Sequence, residues 1–144
     1  EKVRLYPTGT QERALKFILD VNRELYNALL QERRDAWKRG VRVSSRQQSA
    51  ELTALRSVEA RIDGRLAAVY RGTQDAVLHR LDLAFEAFFR RLKAGEIPGY
   101  PRFKAAGRWS QFESSPLIHR GETCASNPFL IGLCSMRGSV YSTK

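Results

Sequence analysis

The feature that most constrains the fold is a long amphipathic pattern in the second half of the chain. Apolar residues recur at positions 77, 78, 81, 84, 85, 88, 89 and 92, which is the spacing of a helix with one buried face. Cationic residues crowd the last turn, where they suit the helix dipole, and Gly95 predicts the end of the helix. The pattern therefore predicts a long helix whose apolar face lies in a core.

Two prolines force the chain after this helix into an extended conformation. Pro98 and Pro101 disfavour a helix there, and the same stretch carries Arg102 and Lys104. Aromatic residues stand between these charges, an arrangement that suits base stacking combined with phosphate contacts. A stiff helix followed by an extended basic segment indicates a nucleic-acid partner.

Two further helical patterns precede the long one. The first covers residues 9–39 and begins at a capping box in which Thr8 is the N-cap and Gln11 is the third helical residue. The second begins at Ser44 or Ser45, either of which can cap a helix. Each pattern predicts a helix with one apolar side.

The third helix is expected over residues 66–94, disturbed at Gly72. A short strand, Lys2–Tyr6, precedes the first helix, because Val3 and Leu5 alternate with charged neighbours. Three amphipathic helices with little else predict an antiparallel helical bundle. The residues expected in its core include Leu25, Leu29, Leu81, Phe85, Phe88 and Leu92.

The charge of the chain indicates an anionic partner. The net charge is +10 over 144 residues, and residues 1–112 hold 22 Lys and Arg against 13 Asp and Glu. Arginine dominates lysine there, which favours bidentate contacts to phosphate. Membrane surfaces and acidic proteins are alternative partners. No apolar run is long enough to span a membrane and there is no secretory signal, so a cytoplasmic location is expected.

Several stretches, taken in order, resemble one protein family. They are Arg4-Leu5-Tyr6-Pro7-Thr8 followed by Gln11, then Leu25-Tyr26-Asn27 with Leu29 and Glu32-Arg33, then Leu81-Asp82-Leu83-Ala84-Phe85 with Phe88-Phe89-Arg90, and finally Pro98-Gly99-Tyr100-Pro101-Arg102-Phe103-Lys104. Over roughly residues 2–112 the chain resembles the transposon-encoded TnpB (OrfB) proteins. The helices between these stretches have the lengths that the family has.

The resemblance implies a fold. In the family, a helical domain is inserted into a small β-barrel, the wedge domain. The expected fold is therefore mainly α, an antiparallel bundle with a short N-terminal strand and an extended basic segment from an incomplete barrel. The expected units are residues 1–8 (first barrel strand), 9–95 (helix-turn-helix-like recognition domain), 96–112 (return to the barrel) and 113–144 (a divergent, poorly ordered tail). The resemblance is lost in the tail. This favours a shifted reading frame or a truncated transposon over a natural, divergent C-terminal end.

The resemblance also implies a function. Family members are RNA-guided DNA endonucleases of insertion sequences, with a downstream nuclease domain that uses divalent metal and zinc. We expect no catalytic residue, metal or cofactor in this chain, because it ends before that region. Cys124 and Cys134 do not have zinc-ligand spacing, and His79 and His119 are isolated. The expected function is that of a nucleic-acid-binding N-terminal region, with DNA and guide RNA as partners.

Four groups of residues are candidates for nucleic-acid contact. They lie at the end of the first helix, at the start of the second, early in the last helix and in the extended segment. For the second and third groups, the resemblance implies contacts to a DNA motif beside the transposon. In chain order the groups are Arg33, Arg34, Lys38 and Arg39; Ser45, Arg46, Gln47 and Ser49; Arg71, Gln74 and Asp75; and Tyr100, Arg102, Lys104, Arg108 and Trp109.

Each group also has a structural interpretation. The first could be a solvated face paired with Glu32 and Asp35, and the serines of the second could be helix caps. Gly72 departs from the family pattern beside the third. The aromatic residues of the fourth could pack the barrel, and we expect its charges to be functional and Phe103 to be structural. Two other functions stay open: a stand-alone, dimeric helix-turn-helix DNA-binding regulator, and a non-functional relic of an interrupted transposon.

Overall fold

The computed structural model describes residues 6–110, and most of these are helical. The helices are α1 (Gly9–Lys38), α2 (Ser45–Glu59), α3 (Arg65–Ala68) and α4 (Arg71–Lys93). Within these residues there is no β-strand, so the prediction of a mainly α fold is confirmed in this part of the chain. The strand predicted over Lys2–Tyr6 lies outside the described residues except for Tyr6, and so does the tail at 113–144. No helix among the described residues is long and apolar enough to cross a membrane.

The three long helices run up, down and up. The start of α2 lies against the second half of α1, where Gln48 donates to the backbone oxygen of Leu29 at 3.0 Å. The start of α4 lies against the middle of α2, where Arg71 donates to Thr53 at 2.9 Å. Arg33, late in α1, bonds both Gln48 at the start of α2 and Asp82 in the middle of α4, so α2 is antiparallel to both of its neighbours and α1 and α4 are parallel to each other.

Reciprocal caps fix where α1 and α2 begin. The Thr8 N–H donates to Gln11 Oε1 at 2.9 Å, and the Gln11 N–H donates to Thr8 Oγ1 at 3.4 Å. The same exchange joins Ser44 and Gln47, at 2.9 and 3.2 Å. The predicted capping box at Thr8 is confirmed, and Ser44 is the cap of α2.

The prediction of one helix over residues 66–94 is wrong, because the helical structure is interrupted between α3 and α4. Val69 is extended, with φ −90° and ψ 138°, and α4 begins after Tyr70. Gly72, where the disturbance was expected, lies buried in the first turn of α4 instead. A Cβ at Gly72 would collide with the Tyr70 ring, so the glycine lets this ring pack over the helix start.

The main core lies where α1, α2 and α4 meet. Its buried residues are Leu25, Tyr26, Leu29, Leu30, Leu52, Val77, Leu78, Leu81 and Trp109. The predictions for Leu25, Leu29 and Leu81 are confirmed, whereas Phe85 and Phe88 are only partly buried. The prediction for Leu92 is wrong, because this side chain is 52% exposed.

The length of α4 explains why Leu92 is exposed. Arg33 of α1 pairs with Asp82 of α4, so these two residues lie at the same level of the bundle. Beyond that level α1 continues for only five residues, to Lys38, whereas α4 continues for eleven, to Lys93. The last turn of α4 therefore extends past its helical neighbour.

After α4 the chain turns back and runs along α1 and α4 without regular structure. We term residues 98–109 the return segment. Asn27 of α1 holds it through two hydrogen bonds, donating to the Lys104 carbonyl at 3.0 Å and accepting from the Lys104 N–H at 2.8 Å. Nearer its end, Trp109 packs on Tyr26 with ring centroids 5.2 Å apart. The return segment is therefore fastened to the bundle by a side chain rather than by a neighbouring strand.

Candidate nucleic-acid interface

Four cations lie together at the turn between α1 and α2. We term residues 38–46 the basic turn. Gly40 has a positive φ of 71°, which reverses the chain directly after α1. No Asp or Glu occurs between Ala36 and Ala50. The exposed cations of the basic turn are Lys38, Arg39, Arg42 and Arg46.

The cations of the basic turn are only lightly paired. Lys38 Nζ lies 3.5 Å from the Asp35 carboxylate, and Arg39 Nε donates to the Asp35 backbone oxygen at 3.2 Å. An exposed pair of this kind contributes little to stability, so Lys38 can readily exchange Asp35 for another anion. Within residues 6–110, Arg42 and Arg46 have neither a hydrogen bond nor an ion pair to their side chains. The basic turn thus presents cations that the fold does not use.

At the start of α2, capping and packing occupy part of the second predicted group. Gln47 Oε1 accepts from the Ser44 N–H at 2.9 Å, so this side chain serves the cap. Ser49 Oγ accepts from Arg71 Nη2 at 2.8 Å. Ser45 is half-buried and Arg46 is exposed. Of these side chains, Arg46 is the best placed to contact an external ligand.

An open groove of about 530 Å³ separates α2 from α4 and brings the second and third predicted groups together. Its two carboxylates are paired, because Asp75 lies 2.9 Å from Arg71 and Asp82 lies 2.6 Å from Arg33. Arg46, which also lines the groove, has no ion pair within the described residues. The lining residues are Ser45, Arg46, Ser49, Ala50, Thr53, Asp75, Leu78, His79 and Asp82.

Arg71 joins α4 to α2 and has few donors left for a ligand. Its Nε donates to Asp75 at 2.9 Å and its Nη1 donates to Thr53 Oγ1 at 2.9 Å. Its Nη2 donates to both the hydroxyl and the backbone oxygen of Ser49, at 2.8 and 3.1 Å. Four of the five guanidinium donors are in use. Arg71 therefore holds three lining residues of the groove in place, namely Ser49, Thr53 and Asp75.

The prediction that Gln74 contacts nucleic acid is corrected, because its side chain is fully buried. Its amide donates to the Leu66 carbonyl at 2.9 Å, and its oxygen accepts from Arg56. Arg56 also donates to the Val69 carbonyl at 2.9 Å, and thus supports the interruption before α4. Burial, followed by the nearby charge of Arg71, lowers the pKa of Arg56. Gln74 and Arg56 form an internal polar network.

The prediction for Arg33 is corrected for the same reason. Its side chain is 10% exposed and donates to Gln48 at 2.7 Å and to Asp82 at 2.6 Å. The guanidinium also lies over the Phe85 ring, 5.2 Å from its centroid. Arg33 therefore links α1, α2 and α4. Arg34, the next residue, instead faces the return segment.

Two aromatic residues of the return segment are buried and exposed in the opposite way to that expected. Trp109, predicted to contact nucleic acid, is 7% exposed and packs against Tyr26, so this prediction is corrected. Arg80 covers the indole from α4, at 5.1 Å from the ring centroid. Phe103, expected to be structural, is 43% exposed.

The other predicted residues of the return segment divide into anchors and exposed charges. Tyr100 is half-buried and packs against Phe88 with ring centroids 5.5 Å apart. Lys104 is fixed through its backbone, and its ammonium lies 5.9 Å from the centre of the Tyr26 ring. Arg102 and Arg108 are exposed, and their side chains have no partner within residues 6–110.

Comparison with known proteins places the N-terminal region in a family. Residues 2–42 match the family model of the helix-turn-helix domain of OrfB proteins from IS605-type insertion sequences. The N-terminal region is of the TnpB/OrfB type. This confirms the part of the resemblance that lies within residues 2–42. A search among curated proteins gave no match.

The structure shows what the matched region of the OrfB type contains. It holds α1 and most of the basic turn, and α2 begins three residues after it, at Ser45. Arg42 is the last residue of the matched region and was not among the residues predicted from the sequence. The signal that could have indicated it is the interval from Ala36 to Ala50, which contains no Asp or Glu. Among residues 6–110, no group of three or more His, Cys, Asp or Glu side chains is placed to hold a metal ion.

Proposed function

We propose that this chain is the nucleic-acid-binding N-terminal region of a cytoplasmic, transposase-associated protein of the OrfB type, and that the basic turn is its contact with duplex DNA. The observation that carries the proposal is the match of residues 2–42 to a helix-turn-helix domain, together with the four exposed cations at the turn that follows α1. DNA is the anion that this class of domain binds.

The charges of the basic turn suit phosphate binding. Arginine presents two parallel N–H donors to a phosphate, and Arg42 and Arg46 have these donors free within the described residues. The first turn of α2 adds unsatisfied backbone N–H groups and the positive end of a helix dipole at the same place. These contacts position the protein on the duplex and carry no sequence information themselves.

The groove between α2 and α4 is the proposed place for contact with base edges. It opens beside the basic turn and combines the hydroxyl of Ser45, the guanidinium of Arg46 and the imidazole of His79. Hydroxyl, guanidinium and imidazole groups offer the hydrogen-bond donors and acceptors with which proteins distinguish base pairs in the major groove. Because Asp75 and Asp82 are paired with arginines, their charges are partly neutralised when DNA approaches.

The resemblance supports a finer proposal about the whole protein. We infer that residues 9–95 act as the recognition domain, that the return segment belongs to a wedge-type barrel, and that guide RNA is the second partner. Arg102 and Arg108 are exposed and unpaired within residues 6–110, which supports a contact between the return segment and a nucleic-acid backbone. We further propose that the chain binds without cleaving.

The test compares two charge-matched double variants in binding to a short duplex. R42Q/R46Q removes two cations of the basic turn, and R13Q/R61Q removes two exposed arginines elsewhere. Wild-type affinity should fall by about two or more orders of magnitude between roughly 50 and 200 mM salt, as expected for a handful of phosphate contacts. R42Q/R46Q should make the slope of log affinity against log salt less steep by roughly 1–2. The reason is that binding releases about one counterion fewer for each phosphate contact that is lost.

R13Q/R61Q serves as the control, since it changes the net charge by the same amount. It should leave the slope close to the wild-type value. Equal losses in the two variants would mean that net charge alone governs binding, and the basic turn would then not be the contact surface. Binding that is insensitive to salt would contradict the nucleic-acid function as a whole.

A further inference from the structure

An exposed aromatic ring stands in the middle of the return segment. Phe103 is 43% exposed, whereas phenylalanine is one of the residues most often buried in proteins. The backbone next to it is fixed, because Asn27 bonds both the N–H and the carbonyl of Lys104. The backbone that carries the ring is therefore held against α1.

One side of this ring is already stacked. The Arg34 guanidinium lies 5.3 Å from the Phe103 centroid and 5.8 Å from the Tyr100 centroid, so it contacts both rings. Tyr100 is supported from behind by Phe85 and Phe88, at 5.6 and 5.5 Å. The Tyr100 ring, the Arg34 guanidinium and the Phe103 ring thus form a row. This row begins in the helical bundle and ends at Phe103 on the surface.

Two exposed arginines lie close to Phe103 in the chain. Arg102 precedes Phe103 in the chain and Arg108 follows five residues later, and neither side chain has a partner within the described residues. Arg34 lies one helical turn before Lys38, so the row adjoins the basic turn. A fixed, exposed ring between unpaired arginines is the arrangement with which proteins hold single-stranded nucleic acids.

We propose that Phe103 is a stacking platform for an unpaired base of single-stranded nucleic acid, with Arg102 and Arg108 on the neighbouring phosphates. A planar base continues the row on Phe103, and one such stack changes affinity by roughly tenfold. Bases within a duplex are stacked on each other and are not available to the ring. The proposal deepens the proposed nucleic-acid function, but it uses a different surface from the basic turn.

The test measures the affinity of the full chain for three probes of one sequence: single-stranded DNA, single-stranded RNA and duplex DNA. F103L keeps an apolar side chain of similar size but removes the ring, and F103Y keeps the ring. F103L should bind the single strands roughly tenfold more weakly and the duplex as wild type does. F103Y should bind all three probes as wild type does. The two single-stranded arms show whether DNA, RNA or both supply the base.

Three results would overturn the platform. F103L could bind single strands unchanged, it could lose single-strand and duplex affinity equally, or it could lower the urea midpoint of unfolding, which would assign the ring to packing. The failure of the platform is distinguishable from the failure of the proposed function. If wild type binds duplex and F103L binds single strands as tightly as wild type does, the platform alone fails. If wild type binds no duplex, the proposed function fails.

Discussion

Arginine residues serve two purposes in this protein, and burial separates them. Arg33, Arg56 and Arg71 lie against the core and bridge elements, because one guanidinium carries five donors in a fixed geometry. Arg42 and Arg46 are exposed and unpaired within residues 6–110. The first set stabilises the fold, and the second is available for a ligand.

This division predicts the effect of removing Arg33. Arg33→Met leaves Gln48 and Asp82 without their partner, so the free energy of unfolding should fall by roughly 1–3 kcal/mol. Arg39→Met removes an exposed charge and should change it by less than about 0.5 kcal/mol. Urea unfolding followed by circular dichroism measures both. If Arg33→Met were as stable as wild type, Arg33 would not be a structural link.

At the scale of single residues, the sequence indicates the chemistry of the site but not which side chains face outward. Gln74 and Asp75 are neighbours in α4, yet only Gln74 is buried, because it faces the Leu66 carbonyl beside the break before α4. Phe103 and Trp109 lie in a segment without periodicity, so no pattern tells which ring enters the core. These choices depend on contacts between distant parts of the chain.

At the scale of elements, local signals were predictable and distant ones were not. The capping box of Thr8 and Gln11 involves residues three positions apart, and it was predicted correctly. The break between α3 and α4 was not, since Leu66 and Val69 continue an apolar spacing. Their carbonyls accept hydrogen bonds from Arg56 of α2, which stabilises a non-helical conformation there.

The buried face of α4 should show a gradient of stability effects along the helix. Leu81 is fully buried, so Leu81→Ala should lower the free energy of unfolding by about 2–5 kcal/mol. Leu92 is 52% exposed, beyond the end of α1, and Leu92→Ala should cost less than about 1 kcal/mol. Equal losses in urea unfolding would show that α4 is packed along its whole length.

The return segment should depend on one amide side chain. Asn27→Ala removes both hydrogen bonds to Lys104, so the Lys104 amide should exchange its hydrogen at least about tenfold faster. The amide of Leu30, inside α1, serves as the internal control and should keep its protection. Unchanged exchange at Lys104 would mean that other contacts hold the segment.

At the scale of the whole molecule, packing places two charged surfaces near one another. The bundle directs its apolar faces inward, and the basic turn follows directly after α1. Arg34, near the end of the same helix, contacts the return segment through Phe103. The net charge of +10 predicted an anionic partner, but only the fold shows that the arginines at positions 42, 46 and 102 are exposed and unpaired within residues 6–110.

The most direct measurement of the central claim is a titration of the 15N-labelled chain with a short DNA duplex, followed by amide chemical shifts. If the basic turn is the contact surface, the largest shift changes should fall on residues 38–49, with smaller changes along the groove wall at Asp75 and His79. The first half of α1, residues 9–23, should change little. Largest changes confined to that half of α1, with residues 38–49 unaffected, would contradict the account.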